Sequence, residues 1–188
     1  MSDDLVVSRM VGAPAPTRRY VIGLGANLGD RLTTLISAVR ALAGAGVVLR
    51  LSTVYESQAV GPPQPDYLNA AILLGSKLLP LDLLGAMLTI ERAHGRERRE
   101  RWGPRTLDLD LLYSPGLELN DPALTLPHPE LHRRAFALAP LLEVLPDARD
   151  ERSGVSYQML LDALGRGSVR RFETDSAWPP IDAAGRVE

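Results

Sequence analysis

Asp108 and Asp110 alternate with Leu107, Leu109 and Leu111 in the run Thr106-Leu107-Asp108-Leu109-Asp110-Leu111-Leu112. A period of two is the mark of a β-strand with one apolar face. The leucines therefore anchor the strand, and the two carboxylates project side by side from its other face. Neighbouring carboxylates repel each other and lose hydration unless cations bridge them, and all-oxygen ligands suit Mg²⁺. Immediately upstream, Arg96, Arg98, Arg99, Arg101 and Arg105 crowd a single loop. Guanidinium forks are natural partners of phosphate oxygens. Hard-metal carboxylates beside clustered arginines point to Mg²⁺-dependent chemistry on a polyphosphate. A bare Asp-x-Asp usually marks only a half-exposed strand; the flanking Trp102-Gly103-Pro104-Arg105 and the arginine density favour function here.

The elements that position these residues follow from periodicity and turn chemistry. Tyr20 to Leu24 reads as a short buried strand ending in a glycine-rich turn. Gly23-x-Gly25 lacks the third glycine of a dinucleotide-binding fingerprint, which leaves a tight strand-to-helix turn with Asn27 or Asp30 at the helix start. Leu32, Leu35, Ile36, Val39 and Leu42 give a helix over Asp30 to Ala43. Val47 to Ser57 is a second strand, Tyr67 to Leu78 a third, and Pro80 to His94 a second helix with proline in its first turn. Thr106 to Tyr113 carries the aspartates, and Gly116 to Asn120 adds a short edge strand. His128 to Leu145 is mostly helical with Pro140 as a kink or break, and Tyr157 to Leu164 is a last short helix. Strand, helix, strand, strand, helix, strand describes an α+β fold with a ferredoxin-like βαββαβ core: a mainly antiparallel sheet with packed helices. Residues 1–17 are expected to form a flexible leader, 18–165 the domain, and 166–188 a flexible tail.

Composition narrows the function classes. A chain of 188 residues fits one domain. The formal net charge of −2 lacks the broad basic field of a nonspecific nucleic-acid binder. The arginines are concentrated locally instead, as a small-anion site requires. No cysteine is present, so disulfides, thiolate metal sites and a cysteine nucleophile are excluded. No apolar run is long enough to predict a membrane-spanning helix. His94 and His132 show no ligand spacing with His128, so no zinc site is expected.

The run from Arg101 to Leu112 resembles the signature of the 6-hydroxymethyl-7,8-dihydropterin pyrophosphokinases, folate-pathway enzymes that move pyrophosphate from ATP to a pterin alcohol. Further similarities follow in order: Tyr20 to Asp30 with the family's opening strand and turn, Gln64 to Ala71 with its pterin-side segment, and Leu126-Pro127-His128 with Arg133 to Phe136 as its third loop. The resemblance spans roughly residues 19 to 150. It implies the same ferredoxin-like core with additions, and a cytoplasmic enzyme. It also implies that Asp108 and Asp110 hold two Mg²⁺ ions bridging the ATP phosphates. Arg96 and Arg105 join them as catalytic residues. Glu91, Arg98, Trp102, Arg105, His128 and Arg134 fall to the ATP side; Ser57, Val60, Tyr67, Asn69, Trp102 and Phe136 fall to the pterin side.

The residues themselves support several of these roles. A Trp in a polar Gly-Pro loop has little core to enter and suits stacking on a flat heterocycle. Asn69, polar within an apolar strand, needs hydrogen-bond partners that a pterin edge can supply. Departures from the family pattern are a shorter Arg98-to-Trp102 spacing, Pro129 where an aromatic often follows the histidine, and Ser57, Gln58 and Val60 where Thr, Pro and Leu are frequent. Two other classes compete. A metal-dependent glycosyltransferase shares the Asp-x-Asp but usually needs a longer nucleotide-binding region. An RNA-binding ferredoxin-like sheet needs exposed strand aromatics and a wider basic face. The expected partners are therefore ATP and the pterin alone, without nucleic acid or membrane, acting on a monomer.

Overall fold

A computed structural model describes residues 17–59, 63–95, 105–165, 167, 169–173 and 178. Strand β1 (Arg18–Ala26) leads into helix α1 (Arg31–Leu42), then β2 (Val47–Leu51), β3 (Tyr55–Ser57), β4 (Tyr67–Ser76), helix α2 (Pro80–Ala93) and β5 (Asp108–Tyr113). A hairpin of β6 (Leu119–Asp121) and β7 (Leu124–Leu126) follows, then a 3₁₀ turn at Leu131–Arg133, helices α3 (Ala135–Val144) and α4 (Tyr157–Leu164), and strand β8 (Val169–Arg171). The main sheet runs β5-β1-β4-β3-β8, with β2 paired to the other half of β4 and all pairings antiparallel. This is the βαββαβ arrangement expected from the order of elements.

Local chemistry sets the helix ends. Asp30 caps α1, its Oδ1 accepting the Thr33 N–H at 3.1 Å, and Ser156 caps α4 by accepting from Gln158 N at 3.1 Å. Such caps satisfy donors that have no partner inside the helix. Leu35, Ala38, Val39 and Leu42 of α1 and Leu83 and Met87 of α2 are buried against one face of the sheet. Helices α3 and α4 cover part of the opposite face through Leu138, Leu141, Tyr157 and Leu161. Strand β4 lies between the two cores, so every residue from Leu68 to Ser76 is buried and Ala70 to Leu74 form an unbroken apolar run rather than an alternation.

Four sequence expectations change. The strand expected over Val47 to Ser57 is two pieces, because the chain leaves the ladder at 52–54, where the Ser52 hydroxyl accepts the Ala71 N–H at 2.9 Å. Gly23 and Gly25 lie inside β1, not in a turn; the turn is 27–30, where Gly29 takes φ +63°. The single edge strand expected over Gly116 to Asn120 is the β6–β7 hairpin, displaced toward the C-terminus. Within the expected tail, β8 adds a strand beside β3, and Phe172 and Trp178 pack on the α1–α2 core. Apolar side chains there find an exposed sheet edge and core surface to cover, which polarity and proline content did not reveal. No helix among the described residues is long and apolar enough to cross a membrane.

Candidate active site

The sheet face not covered by α1 and α2 is roofed by α3 over only part of its length, and the remainder is a cleft of about 480 Å³. Its floor is β1, where Gly23 and Gly25 stand in register with Asp110 and Asp108 of β5. A Cβ on Gly23 would come within 2.9 Å of Leu112 Cδ1, and one on Gly25 would lie 3.6 Å from Tyr67 Cδ1 and 3.7 Å from Asn69 Oδ1. The two glycines therefore keep the floor low between the carboxylates and the β4 wall. Sequence reading missed this role. Its signal was there: a Gly-x-Gly and an Asp-x-Asp, both of period two, on strands that pair.

Asp108 and Asp110 share the cleft face of β5, as their spacing requires, while Leu109 and Leu111 enter the opposite core. Arg105 grips Asp108, its Nη1 lying 2.8 Å from both carboxylate oxygens. Arg134, in the turn before α3, approaches Asp110 Oδ2 at 3.6 Å and lies 5.9 Å over the Phe136 ring. Burial and the Asp108 charge push the Asp110 carboxyl up to about 6, against the lowering effect of Arg134. The side chain is nonetheless 39% exposed toward the cleft. A repelled, half-solvated carboxylate beside a second one is a site that a hard cation would relieve. Among the described residues no group of three or more Asp, Glu, His or Cys converges to hold a metal. Two carboxylates fit Mg²⁺ when ligand phosphates and water complete its oxygen shell, which is its usual mode of binding.

His128 reaches the cleft because its backbone N–H donates to Leu112 O at 2.8 Å, pinning the loop to the outer edge of β5. Burial and nearby Arg134 push its imidazole down to about 4, outweighing the pull of Glu130 and Asp108, so the ring is neutral near pH 7. Nδ1 accepts the Glu130 N–H at 3.2 Å. The ring proton is thus on Nε2, which makes His128 an uncharged donor.

The β4 side of the cleft combines polar side chains with aromatic rings. Asn69 is 6% exposed, and its Nδ2 donates to Ser57 Oγ at 2.9 Å. This fixes the amide and leaves further hydrogen-bonding capacity at the cleft. Tyr67 and Phe136 supply ring surfaces, and Gln58, Glu130 and Arg133 also line the walls.

The structure thus gathers Ser57, Tyr67, Asn69, Arg105, Asp108, Asp110, His128, Arg134 and Phe136 around one cleft. Val60, Arg96, Arg98 and Trp102 lie outside the described residues. Glu91 does not line the cleft. It is 1% exposed on α2, and Oε1 accepts the Leu109 N–H at 2.8 Å on the edge of β5 that faces away from β1. Glu91 thus supports the aspartate-bearing strand from behind, outside the cleft to whose ATP side the sequence resemblance assigned it.

Fold and cleft together define a small α+β domain with an acidic, arginine-flanked site. Comparisons with known proteins agree with that class. The family described as 7,8-dihydro-6-hydroxymethylpterin-pyrophosphokinase matches residues 21–146. The 2-amino-4-hydroxy-6-hydroxymethyldihydropteridine pyrophosphokinase of Synechocystis sp. is 47% identical over 168 residues, 88% of this chain and 82% of that one. Its counterpart in Methylorubrum extorquens is 44% identical over 135 residues, 70% of this chain and 84% of that one. Among solved structures, an HPPK-DHPS in complex with substrates aligns with TM-score 0.65 at 11% identity, covering 92% of this chain and 48% of that chain. The wild-type Plasmodium falciparum HPPK-DHPS aligns with TM-score 0.64 at 12% identity, over 92% and 49%. The chain spans about half the length of these two solved chains, and at such identity they show the fold alone. The chain belongs to the 7,8-dihydro-6-hydroxymethylpterin pyrophosphokinase family.

Proposed function

We propose that this protein transfers pyrophosphate from ATP to the hydroxymethyl group of 6-hydroxymethyl-7,8-dihydropterin and releases AMP, a step of folate biosynthesis. Family membership supports the reaction class. The observation that carries the reading is one cleft with paired carboxylates and two guanidinium groups at one end, and an Asn69–Ser57 edge between rings at the other. The pterin lies against Tyr67 and Phe136 with its edge read by Asn69. Its hydroxymethyl oxygen bonds to the β-phosphorus as the bond from that phosphorus to the α,β-bridging oxygen breaks, AMP leaving with that oxygen and the hydroxyl proton passing to solvent. Such transfer depends on positioning and charge neutralisation, not on a protein nucleophile.

Asp108 and Asp110 would hold two Mg²⁺ ions, whose chemistry here is to neutralise the phosphate oxygens. Arg105 and Arg134, which now face the two carboxylates, would turn to phosphate oxygens once the carboxylates are otherwise balanced. His128 Nε2–H adds a neutral donor on the nucleotide side. Arg96, Arg98, Val60 and Trp102 are assigned by sequence resemblance: the arginines to the phosphates, Val60 to the pterin wall, Trp102 to stacking. The reading carries with it a cytoplasmic monomer whose substrates are small molecules alone, which size-exclusion chromatography and cell fractionation would check. The deciding assay mixes protein, MgATP and the pterin alcohol. AMP and pterin diphosphate should form in equal amounts and only with all components; ADP in place of AMP would overturn pyrophosphate transfer.

A further inference from the structure

Asn27 stands directly after β1, is 2% exposed and does not line the cleft. Three chain segments meet at it. Its Nδ2 donates to Gln64 Oε1 at 3.0 Å and to the Pro65 carbonyl at 3.1 Å. Its Oδ1 accepts the Arg105 N–H at 2.8 Å, and its backbone N–H donates to the Arg105 carbonyl at 3.2 Å. One amide therefore joins the end of the glycine floor, the segment entering β4 at Tyr67, and the residue that grips Asp108. The second of these leads into the pterin wall and the last into the strand that carries Asp108 and Asp110.

We propose that Asn27 is a positioning residue: it sets the distance between the acceptor wall and the phosphate end of the cleft, and so the alignment of the two substrates for in-line transfer. The inference rests on the transfer reaction proposed above. The chemistry of the site asks for an amide. Both donors are used on the Gln64–Pro65 side and the acceptor on the Arg105 side, a combination that Asp, Ser or Leu cannot supply. An Asp here would still accept from Arg105. It would, however, set a carboxylate against the Pro65 carbonyl, which has no proton to offer, so Asn27→Asp cuts the pterin-side arm selectively. Gln64→Leu removes one acceptor of that same arm from a half-buried position.

The test compares wild type, Asn27→Asp, Gln64→Leu and the double variant in pterin-dependent AMP release, with melting temperature measured alongside. Because a displacement near 1 Å in a reacting geometry costs about 10²-fold, Asn27→Asp should lower kcat by about 10- to 100-fold. KM for ATP should stay within about twofold of wild type, because the nucleotide grip is untouched. Gln64→Leu should lose less, and the double variant should be no worse than Asn27→Asp, since both cut one arm. Unchanged kcat per folded molecule, with only a lower melting temperature, would reduce Asn27 to a stabilising contact and overturn the proposal. If Asn27→Asp fails to fold, Gln64→Leu decides: a lower kcat at wild-type melting temperature supports the role, and wild-type kcat refutes it. Absence of pterin-dependent AMP release in the wild type overturns the transfer reading itself, and the assigned role with it.

Discussion

Replacing Asp110 by Asn should stabilise the ligand-free protein while destroying turnover. Two interactions of opposite sign meet at this side chain. Arg134 lies 3.6 Å away and favours the charged form, whereas burial and Asp108 disfavour it and win, raising the carboxyl from 3.8 to about 6. For a group sealed from water that rise corresponds to about 3 kcal/mol. The side chain is 39% exposed, however, and solvent screening leaves about 1 kcal/mol. The raised folded-state value makes the charge a penalty, fully present above about pH 6 and relieved as pH falls toward the unfolded value of 3.8. An amide carries no such penalty. Thermal unfolding without ligands near neutral pH should therefore place the Asp110→Asn midpoint about 2–4 °C above wild type. The gap should close in acid, and Mg²⁺ with an unreactive ATP analogue should raise the wild-type midpoint alone. A lower midpoint for the variant at neutral pH would mean that the Arg134 ion pair dominates, and the reasoning would fail.

Glu91→Leu should cost about 1–3 kcal/mol, measured by denaturant unfolding, because it leaves the buried Leu109 N–H without its acceptor; Glu91→Gln, which keeps an oxygen there, should cost less. Gly25→Val should abolish pterin binding by calorimetry while the protein still folds, since the new side chain rises from the floor toward Tyr67 and Asn69. Burial pushes the Glu143 carboxyl up, but hydrogen bonds from Tyr55 and Thr53 with the Arg171 charge hold it below its ordinary value. Its stabilising effect is therefore present above the unfolded value of 4.5 and lost as pH falls through the lower folded one. Glu143→Gln should accordingly flatten the acid limb of a stability profile.

The elements that were legible in sequence are those whose signal is local. Leu-Asp alternation announced β5 and the facing of its carboxylates, and Pro80 with Leu83 and Met87 announced α2. Long-range pairing was not legible. Nothing near Glu91 says that its partner is a backbone N–H eighteen residues away on a strand edge. Nothing near Asn27 distinguishes a helix-start residue from one that ties Gln64, Pro65 and Arg105 together. Gly23 and Gly25 suggested a turn because glycine is weak in strands; their value lies in what stands across from them on β4 and β5. The C-terminal residues looked like a tail because β8 is short and charged, and it is held by pairing with β3 and by the Arg170 ion pair to Glu56.

The glycine floor has a dynamic consequence. Strand β1 is hydrogen-bonded on both sides, to β4 and to β5, over the stretch that contains Gly23 and Gly25. Amides in a doubly bonded central strand are among the last to exchange with solvent, so opening there requires the whole domain to unfold. The base of the cleft is thus fixed on the timescale of turnover. A ligand too thin for it cannot be tightened from below, so adjustment to what the cleft holds has to come from the side chains at its margin.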